Sequence, residues 1–210
     1  MNRVTMSGSD GFWARVRTAL GGGKIAEPAY GHAEIATTPN GKPKPARVND
    51  ELRQGWDLAA QRKVSLCVMA LEIDRYAEYV AAYGRDAADD CIETLLATIS
   101  VLLTHDSHRC IRSGRAGLTL VLPDMPVLMA RELARKIAIA VRRQGLANRE
   151  SHAGHVTLGI GLAVINPHGK VDRLVTTAAE KALRKAQKRG LARLEVADLR
   201  THEDATRKAA

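Results

Sequence analysis

The sequence is poor in aromatic residues, with one Phe, two Trp and four Tyr among 210 positions. Domains that bind RNA or single-stranded DNA on a sheet surface stack the bases on aromatic side chains, so this composition argues against them. The hydrophobic core must instead be built from Leu, Val, Ile and Ala, in a chain whose hydrophobic share is 45%.

Cysteine is also scarce, and no long apolar run is present. Cys67, Cys91 and Cys110 are odd in number, and their spacing matches neither a C-x-x-C pair nor a zinc motif. We therefore expect buried free thiols in a reducing compartment and no bound metal. No apolar run reaches the ~18 residues of a membrane span, and residues 1–19 lack the continuous apolar stretch of a secretory signal. These absences predict a cytoplasmic protein.

The charge balance is basic, with 32 Lys and Arg against 23 Asp and Glu. The excess is spread along the chain, which favours a solvated basic surface over a dedicated patch for nucleic acid. The densest basic run, at 181–193, is typical of an exposed helix face, and a nucleic-acid-binding stripe is the alternative. The basic residues of this run are Lys181, Arg184, Lys185, Lys188, Arg189 and Arg193.

The composition divides the chain into three parts. Residues 1–48 are rich in Gly and Pro and predict a mostly disordered, basic segment. Within it, residues 12–20 have helical spacing and predict a short amphipathic helix, which would make at most a weak contact with a membrane surface or a partner. We expect a folded domain over 49–198 and a flexible tail over 199–210.

Hydrophobic periodicity within 49–198 predicts alternating helices and strands. The nearly continuous apolar run SLCVMALEI at 65–73 predicts a buried central strand, and Asn49 or Asp50 is placed to cap the first helix. The order predicts an α+β fold with a five-stranded, ferredoxin-like sheet and helices on one face. Helices are predicted at 49–62, from 86 onward, 125–143 and 171–189, with a short helix or irregular turn at 74–83, and strands at 65–73, 108–112, 118–122, 155–164 and 191–196.

Four segments together resemble the motifs of GGDEF domains, the diguanylate cyclases. They are Glu72-Ile73-Asp74 with Tyr76, Tyr83-Gly84 and Asp89; RSGRAGL at 112–118 followed by LVLP; VTLGIGLA at 156–163; and AEKALRKAQ at 179–187. The resemblance covers about residues 50–196 and rests on the order and spacing of the four segments. It implies a nucleotidyl-cyclase-like sheet with helices packed around it, and two GTP-bound half-sites that meet across a dimer.

The positions that would carry this chemistry are largely replaced. At the hairpin, which reads Gly114-Arg115-Ala116-Gly117-Leu118, only Gly114 matches, and Ala116 and Gly117 stand where the family has its acidic pair. At the remaining metal and nucleotide positions, Glu72, before Ile73 and Asp74, replaces Asp; Val80 replaces a guanine-binding Asn; Asp89 is retained; and Gln187 and Leu191 replace phosphate-binding Lys and Arg.

Loss of both hairpin carboxylates removes the Mg²⁺ ligands on which phosphoryl transfer depends. The resemblance therefore predicts a pseudoenzyme without metal or cofactor, a regulatory or protein-interaction module in a bacterial pathway related to cyclic di-GMP. Its partner would be another protein, and a homodimer is a further option. The alternatives are a sensor that still binds a guanine nucleotide, a cyclase with an altered metal site, and a nucleic-acid-binding protein.

The replaced hairpin also suggests a new internal contact. Arg115 stands where the family has glycine, facing Glu72 if the hairpin keeps the family geometry. We expect its guanidinium to pair with the Glu72 carboxylate, directly or through water, in place of the lost metal. The alternative is an Arg115 side chain that points to solvent.

Overall fold

A five-stranded mixed sheet with helices on both faces forms the part of the chain that the structure describes. The computed structural model describes residues 45–200. The strands lie in the order β2-β3-β1-β4-β5, and all neighbours are antiparallel except β4 and β5. The elements are α1 (Pro45–Arg62), β1 (Leu66–Ile73), α2 (Tyr76–Ser100), β2 (Arg109–Ser113), β3 (Gly117–Pro123), α3 (Val127–Arg143), β4 (Leu158–Ile165), α4 (Leu174–Lys188) and β5 (Leu194–Asp198).

The α+β fold class is confirmed, but the placement of all helices on one face was wrong. Side chains of β1 alternate between two separate cores because successive residues of a strand point to opposite faces. Met69 and Leu71 pack with α2 and α3, while Val68 and Ala70 pack with α1 and α4. A central strand that is apolar on both faces requires helices on both.

Two helix boundaries differ from the prediction. Helix α1 begins at Pro45, so Asn49 and Asp50 lie inside it instead of capping it. Proline suits the first helical position because its fixed φ is helical and its missing N–H would have no partner there. The helix or turn predicted before Gly84 and the helix predicted after it form one element, α2, in which Gly84 is the single non-helical residue at φ 86° and ψ 172°.

The two predicted domain boundaries, at 48 and 198, stay predictions. Residues 1–44 and 201–210, with the helix predicted at 12–20, lie outside the described residues. Within 45–200, none of the helices combines the length and the apolar character that crossing a membrane requires.

Helix α4 lies unusually close to β4. A Cβ added at Gly161 would stand 2.1 Å from the carbonyl oxygen of Ala179 and 2.2 Å from the amide nitrogen of Leu183. Both are backbone atoms of α4, so no side-chain rotation can make room. A Cβ added at Gly159 on the same strand would instead meet side chains, with Cγ of Gln187 at 2.9 Å and both Oδ1 of Asp74 and Cδ1 of Leu183 at 3.2 Å. Both glycines therefore allow α4 to pack closely against β4.

Gly161→Ala should therefore lower the free energy of unfolding by about 3 kcal/mol, as a methyl group inserted into packed backbone does. Gly159→Ala is the matched control and should cost less, because the atoms nearest its added Cβ belong to side chains and not to backbone. Urea unfolding of both variants measures the difference. Equal losses of stability would contradict the backbone contact.

Candidate functional site

A cleft of about 730 Å³ opens beside the carboxyl end of the central strand β1. Three elements surround it: the β2–β3 hairpin, the middle of α4 and the first described residues of α1. Helix α1 leads directly into β1 and packs back across it, so the start of α1 lies at the end of β1. The topology therefore brings residues that are far apart in sequence to one opening.

Five of the predicted site residues line this cleft: Glu72, Gly114, Arg115, Ala116 and Gly117. Glu72 is half-buried at the end of β1, in register with Gly117 of β3 on one side and Gly159 of β4 on the other. The hairpin forms between β2 and β3 and lies beside the cleft, while the functional role of its residues stays a prediction. Gly114 at its tip has φ 74°, a backbone conformation that favours glycine.

The backbone of the hairpin is held tightly against β1. The amide of Ile73 donates a hydrogen bond to the carbonyl oxygen of Ala116 at 3.1 Å. A Cβ added at Gly117 would lie 2.6 Å from the carbonyl oxygen of Leu71 and 3.3 Å from that of Ser113. Position 117 has no room for any side chain unless the backbone moves.

The carboxylate of Glu72 is bound by a residue of α4. The side-chain amide of Gln187 donates a hydrogen bond to Oε2 of Glu72 over 2.9 Å. The predicted direct pair with Arg115 is wrong: within 45–200 no ion pair joins the two, and Arg115 is exposed. The side-chain amide of Gln187 already donates a hydrogen bond to Glu72, whereas Arg115, next to Gly114 at the tip of the hairpin, is exposed to solvent.

Asp74 does not line the cleft, and its carboxylate holds neighbouring segments of the fold together. It is 3% exposed, and its Oδ2 accepts hydrogen bonds from the hydroxyl of Thr157 at 2.7 Å and the backbone amide of Ala192 at 2.8 Å. The carboxylate therefore ties the segment before β4 to the turn before β5. Ala192 has φ 54°, a strained conformation that this hydrogen bond helps to hold.

The two predicted guanine positions on α2 are engaged elsewhere. Val80 is half-buried and packs against the core beneath α2 and α3. Asp89 forms an ion pair with Nη2 of Arg112 on β2, and Nη1 of Arg112 lies 3.3 Å from Oε1 of Glu93. The guanidinium of Arg112 thus joins β2 to α2 through two carboxylates.

The other predicted positions lie in the core or beside it. Ile73 and Leu118 are 1% and 2% exposed and belong to the hydrophobic core. Leu191 is half-buried in the turn after α4. None of these three lines the cleft.

Sequence reasoning missed several residues of the cleft because it considered motif positions alone. Val48 and Asn49 of α1 and Thr176 and Glu180 of α4 also line it. Glu180 sits inside the AEKALRKAQ segment, so the motif itself was a signal for it. Val48 and Asn49 carried no such signal, since only the packing of α1 across β1 brings them here.

The family chemistry would require a divalent metal, and the cleft does not fit one. Glu72 is the one carboxylate at a family metal position, and the hairpin offers Ala116 and Gly117 in place of acids. Among the described residues, no three His, Cys, Asp or Glu side chains gather in a way that could hold a metal ion. Mg²⁺ prefers several oxygen ligands, which this set lacks.

The family assignment follows from comparison with known proteins. The family model described as "Diguanylate cyclase, GGDEF domain" matches residues 45–193, more than half of the chain. The chain belongs to this family. Membership relates it to diguanylate cyclases and to cyclic di-GMP signalling. No match was found among curated protein sequences.

Solved structures share the same fold. The active GGEEF domain of a diguanylate cyclase from Vibrio cholerae is 22% identical with a TM-score of 0.60, covering 72% of this chain and 94% of that one. The GGDEF domain of DgcB from Caulobacter crescentus, in complex with c-di-GMP, is 20% identical with a TM-score of 0.63, covering 72% and 88%. The diguanylate cyclase SiaD from Pseudomonas aeruginosa, in complex with its activator SiaC, is 20% identical with a TM-score of 0.66, covering 89% and 67%.

The hydrogen bond between Gln187 and Glu72 can be tested by a double-mutant cycle. Gln187→Ala should lower the free energy of unfolding by about 1 kcal/mol, because the half-buried carboxylate loses its donor. After Glu72→Ala, the same change should cost much less, since the two residues are coupled. Lys188→Ala, on the exposed side of α4, is the control. Additive effects would show that the two residues do not interact.

Proposed function

We propose that this chain is a catalytically inactive GGDEF domain that acts as a regulatory or protein-interaction module in a bacterial pathway related to cyclic di-GMP. The observation that carries the proposal is the hairpin at Gly117. A glutamate in the acidic pair would start from a Cβ 2.6 Å from the carbonyl oxygen of Leu71. The hairpin backbone of this chain therefore leaves no space for the side chain of a metal ligand at position 117.

The surroundings of Glu72 support the same proposal. Its carboxylate accepts a hydrogen bond from Gln187, the residue at a family phosphate-binding position. An amide carries no charge with which to neutralise a triphosphate, and Leu191 offers none either. Among the residues that the structure describes, Arg115 is the one cation lining the cleft, against the carboxylates of Glu72 and Glu180. Such a balance disfavours a ligand with several negative charges unless a metal accompanies it.

The two positions at which the family would bind guanine, Val80 and Asp89, also support the proposed inactivity. Val80 packs into the core and has no hydrogen-bonding group in its side chain. Asp89, the retained acidic residue, forms an ion pair with Arg112. A guanine base would have to compete with that guanidinium for the carboxylate.

A partner of this module would be another protein. SiaD, which shares the fold, was solved with an activator protein, and this supports a protein contact as the mode of action. The described surface carries large exposed apolar side chains, among them Val101 at 83%, Leu128 at 75% and Met129 at 59% exposure. Leu128 and Met129 are consecutive residues of α3, and adjacent exposed apolar side chains can form part of a protein contact surface.

A second candidate is a sensor that binds a guanine nucleotide without turning it over. The cleft volume of about 730 Å³ favours it, since small-molecule sites span roughly 300–1,000 Å³. A saturable rise in melting temperature with a guanine nucleotide would distinguish the sensor from a module that acts through protein contacts alone.

The full chain, incubated with GTP and either Mg²⁺ or Mn²⁺, should form no cyclic dinucleotide above background. Mass spectrometry of the reaction measures the product, and an active GGDEF enzyme serves as the positive control. Ala116→Asp together with Gly117→Glu should restore no activity, because the triphosphate and guanine positions stay changed and residue 117 has no room. Robust turnover by the unmodified protein would overturn the proposed function.

A further inference from the structure

A second pocket lies at the end of the sheet opposite the cleft. It is formed by three loops that meet beyond the amino end of β1: the α1–β1 turn, the β3–α3 loop and the β4–α4 loop. Its volume is about 450 Å³, which is within the range of small-molecule sites. The cleft opens at the other end of this eight-residue strand, roughly 25 Å away. The two openings are therefore separate sites.

Hydrogen bonds within the fold hold the three loops of this pocket together. The amide of Asp124 donates to the carbonyl oxygen of Ser65 at 3.0 Å, which joins the β3–α3 loop to the α1–β1 turn. The hydroxyl of Ser65 donates to Oδ1 of Asn166 at 3.0 Å, and the indole N–H of Trp56 donates to the carbonyl oxygen of Gly169 at 3.2 Å. The last two bonds hold the β4–α4 loop. The pocket is therefore formed without a ligand, as small-molecule sites usually are.

Two residues of opposite charge line the pocket without pairing with each other. Lys63 follows α1 and Asp124 follows β3, and neither belongs to an ion pair within residues 45–200. Arg200, the other permanent cation of the lining, is joined to Asp198. Apart from the imidazole of His168, the lining therefore offers one positive and one negative group to the charges of a ligand.

The backbone at both charged residues has a left-handed conformation. Lys63 has φ 56° and Asp124 has φ 58°. Glycine is the usual residue in this conformation after a helix such as α1, and aspartate tolerates it better than lysine does. Residues other than glycine that are held in this region cost stability and cluster at binding sites. The chain therefore keeps a lysine on the pocket at a position where glycine would be less strained.

We propose that this pocket binds a free apolar α-amino acid, with Lys63 facing its carboxylate and Asp124 facing its ammonium group. Two neutral groups support the same orientation. Among the described residues, Nδ2 of Asn166 has no acceptor and can donate to the carboxylate, while Oγ of Ser65 can accept from the ammonium group. The apolar part of the lining would contact the ligand's side chain. Its residues are Ala60, Val64, Met125, Pro126 and Pro167.

The separation of the two charges sets the class of ligand. A simple anion would be repelled by the carboxylate of Asp124, and a simple cation would be repelled by the ammonium group of Lys63. A zwitterion satisfies both. Such a ligand would give the protein a small-molecule input far from the β2–β3 hairpin. The inference goes beyond the proposed function and does not depend on it, since neither charged residue belongs to the cleft.

Titration of the full-length protein with L-leucine, L-methionine and L-phenylalanine, followed by amide NMR spectra, tests the pocket. We expect at least one of them to cause saturable shifts at the amides of Lys63, Asp124 and Asn166 at millimolar concentration. The tightest of the three is then compared with two analogues, the acid that lacks its amino group and the amine that lacks its carboxylate. Each analogue should bind about fivefold more weakly, because one exposed charge of the pocket stays unpaired.

Two variants separate the contributions of the two charges. Asp124→Asn should weaken the amino acid about fivefold and make it bind no more tightly than the acid analogue, because the ammonium group loses its partner. Lys63→Met should do the same relative to the amine analogue. Asp57→Asn and Arg62→Met are the matched controls, since both residues are exposed on α1 and do not line the pocket. The controls should bind within twofold of the parent protein.

Two results would overturn the inference. If none of the three amino acids causes saturable shifts at these amides, the pocket does not bind apolar amino acids. If the parent protein binds the acid analogue as tightly as the amino acid, the pocket takes anions and Asp124 does not recognise an ammonium group.

Discussion

Strand β1 is apolar on both of its faces, and burying both of them requires a layer of helices on each side of the sheet. Its odd-numbered residues need α2 and α3, and its even-numbered residues need α1 and α4. Glu72 is the one charged side chain on this strand, and it comes at the end where the covering stops. The cleft lies where the core between the sheet and helices α1 and α4 opens to solvent, and the Glu72 carboxylate lines it.

At that carboxylate, the described part of the chain supplies an internal hydrogen-bond donor, Gln187. Gly117 lets β3 come so close to β1 that a side chain no longer fits between them. Gly159 and Gly161 do the same for α4, which brings Gln187 within hydrogen-bonding distance of Glu72. The three glycines therefore narrow the site from two sides, and Gln187 satisfies the carboxylate that a metal would otherwise need to neutralise. Stability of the fold and loss of the metal site would then have a common physical origin.

Local patterns carried much of the sequence prediction. The apolar run of β1 and the hairpin between β2 and β3 depend on residues that are close in sequence, and both were predicted correctly. Contacts between distant segments were not. The pair between Gln187 and Glu72 joins residues 115 positions apart, and it displaced the expected contact with Arg115. The coverage of both faces and the position of Val48 in the lining of the cleft likewise depend on how whole elements pack, which no single segment encodes.

The most direct test of the account is whether the cleft holds a divalent metal together with a guanine nucleotide. Electron paramagnetic resonance of Mn²⁺, titrated with the full-length protein in the presence of a non-hydrolysable GTP analogue, measures this without any need for turnover. We expect the spectrum of the Mn²⁺–nucleotide complex to stay unchanged as protein is added. A protein-bound Mn²⁺ signal that appears with the parent chain and disappears with Glu72→Gln would contradict the account.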